Sequence, residues 1–138
     1  MVDLQEKPKT LANGIPWTDL AQTCYSVFAN VNGISIPWDS ADQFPWDRMA
    51  THVGRVIDDA VKTETELSIS GTSAMIFDKL QSPNGESNIQ YDSLEEKTRL
   101  VYNAIARHMV NVIDAESGAD IAEKEAAAIR WFNNKRGQ

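Results

Sequence analysis

The sequence predicts an all-α protein, a single-domain bundle of about five helices with an extended N-terminal arm. Apolar residues recur at steps of three and four along most of the chain, which is the spacing of one helix face. The short alternating stretch 67–70 would have no partner strand, and an isolated strand is not stable in water. With 138 residues, 42% of them hydrophobic, the chain has the size of one domain and enough apolar side chains for a core.

Three segments divide the chain. Residues 1–14 form the predicted arm, since they are polar and contain Pro8 and the turn signal Asn13-Gly14. Residues 15–134 form the helical domain, and residues 135–138 form a short charged tail.

The first helix is predicted over residues 18–31. Thr18 is a suitable N-cap, and apolar residues follow at helical spacing from Leu20 onward. Asn32-Gly33 ends the helix, because glycine readily takes the left-handed conformation that follows a helix end.

A connector from Ile34 leads to the second helix. This helix opens at Phe44-Pro45-Trp46-Asp47 and runs to about Lys62. Gly54 inside it lowers helix propensity by about 1 kcal/mol relative to alanine. We therefore expect a close contact with another helix at Gly54.

The remaining helices are predicted from capping signals and apolar spacing. A short helix over 72–80, with Ser70 as a candidate cap, is favoured over a strand at 67–70. Asp92 or Ser93, each followed three residues later by glutamate, predicts a capping box for the fourth helix, which carries Leu94 on its apolar face and ends near Ile113. A last helix is capped within 117–120 and continues through Phe132.

Charge and apolar content restrict the function classes. Thirteen basic against twenty acidic residues give a net charge of −7, which argues against a nucleic-acid partner, since such proteins neutralise phosphates with a basic surface. No apolar run approaches the roughly 20 residues of a membrane helix, and the first ten residues are polar. We therefore expect a protein of the cytoplasm with no membrane partner.

No catalytic, metal or cofactor site is predicted. Zinc sites need cysteine and histidine at close spacing, whereas this chain has only Cys24, His52 and His108. Cys24 falls in an apolar helix pattern and is interpreted as a buried free thiol. Both histidines lie near apolar faces and are interpreted as boundary residues. The chain is thus predicted not to be an enzyme.

The candidate interaction surface consists of aromatic and arginine side chains. Tryptophan is typical of interface hot spots, and the prolines around Trp38 place it outside a helix. Convergent arginines would favour a nucleotide ligand. The candidates are Trp38, Trp46, Trp131, Arg48, Arg55, Arg99 and Arg107.

Several motifs resemble small bacteriophage proteins that carry a ryanodine-receptor-type (RyR) domain. The matching positions are Leu20-Ala21, Cys24, Trp38, Trp46, Arg48, Val53 and Tyr91-Asp92-Ser93-Leu94-Glu95-Glu96-Lys97. The family's tryptophan-bearing loop motif is missing from residues 67–90, and Gln90 replaces its proline. The resemblance implies a non-enzymatic, phage-encoded binding module whose ligand the family does not fix.

Three functions remain open at this point. The first is a helical binding protein that contacts a protein partner or itself. The second is a virion accessory protein of the head, neck or tail, in which the arm would tie subunits together. The third is a sponge for a small molecule or nucleotide signal, which requires the four arginines to converge.

Overall fold

The structure is a computed structural model that describes residues 15–81, 91–114 and 121–137. Within these ranges it is an all-α bundle of five helices, as predicted. The helices are α1 (Trp17–Val31), α2 (Phe44–Lys62), α3 (Ile69–Gln81), α4 (Glu96–Asp114) and α5 (Ile121–Arg136). Two 3-10 turns, Trp38–Ser40 and Tyr91–Ser93, precede α2 and α4.

The central helix of the bundle is α4, which packs against each of the other four. Its buried side chains include Ile105 and Met109, which meet Leu20 of α1 and Met49 of α2 in one apolar cluster. Burial of such side chains contributes about 1.5–3 kcal/mol each, so this cluster is the main source of the bundle's stability.

Glycine positions agree with the sequence analysis. Gly33 follows α1 with φ of +67°, the left-handed conformation expected at a helix end. At Gly54 a Cβ atom would lie 2.6 Å from Trp17 Cζ3, so α1 and α2 do approach closely there. The side chain of Cys24 is also fully buried, as predicted.

Helix starts were predicted less well. The N-cap of α1 is Pro16, whose side chain forms no capping hydrogen bond, so Thr18 is not the cap. The cap of α3 is Ser68, whose Oγ accepts the N–H of Gly71 at 3.0 Å, rather than Ser70.

The start of α4 also differs. The predicted capping box at Asp92 or Ser93 is wrong, since Tyr91–Ser93 form a 3-10 turn and α4 begins at Glu96. Leu94 therefore lies before the helix and is only half-buried.

Some of the predicted segments fall on residues that the structure does not describe. The predicted arm, residues 1–14, and the predicted cap within 117–120 lie outside the described residues. At the other end, α5 continues to Arg136 and so includes two residues assigned to the tail. No helix among the described residues is long and apolar enough to cross a membrane.

Candidate functional site

An open aromatic groove lies at one end of the bundle. It is formed where α1 ends, α2 begins and α3 ends, and it has a volume of about 420 Å³. That volume lies in the range of ordinary ligand-binding clefts. The residues that line it are Tyr25, Phe28, Ile34, Ile36, Ser40, Ala41, Asp42, Pro45, Trp46, Leu80, Gln81 and Tyr102. We call this feature the aromatic groove.

Trp46 forms the buried wall of the aromatic groove. Its ring packs edge-on against Tyr25, with 5.5 Å between the ring centroids, and lies tilted against Phe28 at a centroid distance of 5.2 Å. Only 7% of Trp46 is exposed, so it belongs to the core while one side of it borders the groove. Such ring pairs contribute about 0.5–1.5 kcal/mol beyond their burial and so stabilise this wall.

The connector between α1 and α2 forms the rim. The Tyr25 hydroxyl donates a 2.7 Å hydrogen bond to the Ile36 carbonyl, and the Tyr25 ring lies 5.6 Å from that of Trp38. The Trp38 carbonyl in turn accepts the Gln43 amide at 3.0 Å. These contacts fix the connector's path and hold Ile36 over the groove with 54% of its surface exposed.

Exposed apolar side chains extend the site beyond the groove. Phe44, at the first position of α2, is 50% exposed and adjoins Pro45 in the lining. Together with Ile36, it leaves two large apolar side chains exposed at this end of the bundle.

The candidate tryptophans divide between two regions. Trp38 and Trp46 lie at the aromatic groove, whereas Trp131 is half-buried under Arg107, whose Cζ is 4.5 Å from the ring centroid. Arg55 similarly lies over Trp17 at 5.8 Å.

The arginines thus serve different neighbours. Burial raises the pKa of the Tyr91 hydroxyl, and the charge of Arg99, near the start of α4, opposes this effect. Arg48 is exposed on the first turns of α2. Among the described lining residues of the aromatic groove there is no lysine or arginine, so a phosphate ligand would meet Asp42 there instead of a cation.

A buried polar network lies in the middle of the bundle, away from the groove. The Thr23 hydroxyl donates to the Glu125 carboxylate at 2.9 Å and lies 2.8 Å from His108 Nε2. Since the hydroxyl has one proton and gives it to Glu125, Nε2 carries the hydrogen and donates to Thr23. His108 Nδ1 has no hydrogen-bond partner among the described residues.

His108 is therefore held neutral. Burial lowers the pKa of its imidazole to about 4. The interpretation of both histidines as boundary residues is wrong, since His108 is fully buried and His52 is exposed.

The network borders a second, polar cavity between α1 and α5. This cavity has a volume of about 430 Å³ and includes Asp19, Gln22, Thr23 and Glu125 in its lining. Within the described ranges no three histidine, cysteine, aspartate or glutamate side chains are placed to hold a metal ion. Burial, together with the nearby Glu125 carboxylate, raises the pKa of the Cys24 thiol and leaves it protonated.

Of the tryptophans selected from the sequence, Trp46 lines the aromatic groove, and the groove itself was not predicted. Its other rings, Tyr25, Phe28 and Tyr102, read as ordinary helix-face residues. The available signal was the connector, which is unusually apolar for a loop and contains Ile34, Ile36 and Trp38 within five residues.

Comparisons of this chain with protein-family models, with characterised proteins and with solved structures find no match.

Proposed function

We propose that this protein is a non-catalytic binding module that holds an apolar part of a protein partner in the aromatic groove. The observation that carries the proposal is a ring-lined concavity with two half-exposed apolar side chains, Ile36 in its lining and Phe44 next to it. Large rings in a partly enclosed pocket are typical of the residues that dominate binding energy at protein interfaces.

Origin and location complete the proposal. The resemblance carried by Tyr91-Asp92-Ser93-Leu94 supports a phage-encoded protein, which would act in the cytoplasm of the host cell. A second copy of the chain is the alternative partner, and the mass in solution distinguishes the two cases.

The four tryptophans give a direct test. Each indole N–H gives a separate signal in a nitrogen-15 NMR spectrum. We expect small apolar fragments to shift the signals of Trp38 and Trp46 and to leave those of Trp17 and Trp131 in place. Shifts confined to Trp17 and Trp131, or no saturable shift from any fragment, would contradict the proposal.

A pair of matched variants localises the effect. Ile36→Asp changes an exposed apolar residue in the groove, and Val56→Asp changes a 41% exposed one in the second half of α2. We expect fragment binding to fall at least about fivefold in the first variant and to stay unchanged in the second, because burying a carboxylate against apolar groups is unfavourable. Light scattering across a concentration series then shows whether a second copy is the partner.

A further inference from the structure

We propose that Asn32-Gly33, at the end of α1, is a site of spontaneous deamidation and that the folded end of α1 controls its rate. Asparagine followed by glycine favours this reaction, because glycine has no Cβ to hinder attack by its own backbone nitrogen. The chain contains three such pairs, Asn13-Gly14, Asn32-Gly33 and Asn84-Gly85. Of these, Asn32-Gly33 lies among the described residues. This modification site does not depend on the ligand proposed for the aromatic groove.

The reaction uses only water and atoms of the two residues. The Gly33 nitrogen loses its proton to solvent base and attacks Asn32 Cγ, so that a bond forms between these two atoms. The Cγ–Nδ2 bond breaks, and Nδ2 takes up a proton from water and leaves as ammonia. Water then opens the resulting cyclic imide at either carbonyl, which leaves aspartate or isoaspartate at position 32. Both residues are exposed, so water reaches them.

Both reacting groups are held in place in the folded protein. The Asn32 Nδ2 donates a hydrogen bond to the Phe28 carbonyl at 2.8 Å, and the Gly33 N–H donates to the Asn30 carbonyl at 3.3 Å. The backbone of Asn32 has ψ of 2°, which places the Gly33 nitrogen nearly eclipsed with the Asn32 nitrogen. The imide closes only when the Gly33 nitrogen lies on the Cβ side of Asn32, so this conformation does not react.

Reaction therefore requires the end of α1 to open. Gly33 has φ of +67°, and the Ile34 N–H donates to the Ala29 carbonyl at 2.8 Å, which together form a Schellman motif. A rotation at Asn32 that brings the Gly33 nitrogen to Cγ carries Ile34 away from Ala29 and breaks this bond. Helix ends open more readily than a core, so we expect slow reaction in the folded protein.

The product cannot rebuild the same helix end. A carboxylate at position 32 has no N–H for the Phe28 carbonyl, and its charge lies beside the carbonyls that form the negative end of α1. Isoaspartate also adds a carbon to the backbone and so displaces Ile34, which lines the aromatic groove. Deamidation thus loosens the connector at the point where it begins.

The test follows the full chain by peptide mapping with mass spectrometry during incubation at mildly alkaline pH. One sample is folded in buffer, and the other is unfolded in urea. We expect Asn32 to deamidate at least about tenfold more slowly in the folded sample, because the hydrogen bonds of this helix end must break first. Equal rates would refute control by the fold, and an unreactive Asn32 in the unfolded chain would refute the site itself.

Two matched proline variants locate the control. Ile34→Pro removes the N–H that the Ala29 carbonyl accepts, and we expect about three- to tenfold faster reaction at Asn32 in the folded protein, the effect of one lost hydrogen bond. Thr65→Pro removes the corresponding N–H at the end of α2, which the Ala60 carbonyl accepts at 2.8 Å, and should leave the rate unchanged. Urea melts establish that both variants are folded. No acceleration in Ile34→Pro, or the same acceleration in both variants, would refute control by the end of α1.

A second pair of variants tests the effect of the product. Asn32→Asp reproduces the aspartate product, and Asn30→Asp adds the same charge at another exposed position of the last turn of α1. We expect Asn32→Asp to unfold at lower urea concentration than Asn30→Asp, because it alone loses the hydrogen bond donated to Phe28. Equal urea midpoints would show that deamidation does not weaken this helix end.

Discussion

The buried imidazole of His108 makes the stability of the fold depend on pH in a defined direction. His108 is neutral in the folded protein because burial lowers its pKa to about 4, against 6.5 for a solvated histidine. Between these two values the unfolded chain binds a proton that the folded chain does not. Stability is therefore complete above about pH 6.5 and decreases as the pH falls toward 4.

The size of the effect follows from the two pKa values. A pKa difference of one corresponds to about 1.4 kcal/mol, so the step from 6.5 to about 4 amounts to about 3 kcal/mol in favour of unfolding at acid pH. This is a large part of the roughly 5–15 kcal/mol by which small domains are stable.

The assay compares the wild type with His108→Gln. Glutamine places an amide N–H where the imidazole donates to Thr23 and has no titratable group, so carboxylates elsewhere titrate alike in both proteins. Free energies of unfolding are measured in urea, at constant ionic strength, between about pH 7.5 and pH 4. We expect the wild type to lose about 3 kcal/mol more than the variant over this range.

Two results would refute the reasoning. Equal losses in the two proteins would show that His108 does not change its proton binding on unfolding. A smaller loss in the wild type would show that the folded state binds the proton, with a charged His108 balanced by Glu125 through Thr23.

Three small residues, Gly54, Gly33 and Cys24, give three more predictions. We expect Gly54→Ala to lower the free energy of unfolding by about 1–3 kcal/mol, because the added Cβ would lie 2.6 Å from Trp17 Cζ3. If the substitution costs as much in a Trp17→Ala background as it does in the wild type, this contact is contradicted. Gly33→Ala should cost about 1 kcal/mol from backbone strain alone, since its Cβ would meet nothing within 4 Å, and a variant as stable as the wild type in urea would contradict the left-handed conformation. Burial raises the pKa of Cys24, so its thiol should react with a chromogenic disulfide only as fast as the protein opens, and immediate stoichiometric reaction would show that it is accessible.

Features that depend on nearby residues could be predicted from the sequence. The apolar spacing of α2 depends only on helix geometry, and its predicted limits are confirmed at both Phe44 and Lys62. Gly54 and Gly33 were interpretable because one interrupts a helix and the other follows one. The starts of α1 and α4 were predicted less well, because capping preference is only a weak guide: α1 is capped by Pro16 although Thr18 is the better capping residue, and α4 begins at Glu96, beyond Asp92 and Ser93.

Features that depend on residues far apart in the chain could not be predicted from the sequence. His108 and Thr23 are 85 positions apart, and neither residue has a local pattern that indicates a partner. The aromatic groove likewise combines α1, the connector, α2, α3 and α4, so its rings share a site only after the helices have packed.

The four tryptophans occupy two different structural settings. Arginine guanidinium groups lie over Trp17 and Trp131, so these two half-buried rings already have a cationic partner within the chain. Trp38 and Trp46 instead pack on Tyr25, and of these two tryptophans Trp46 lines the aromatic groove. The same residue type thus pairs with an arginine at two positions, whereas at the other two it builds the ring packing on which the aromatic groove rests.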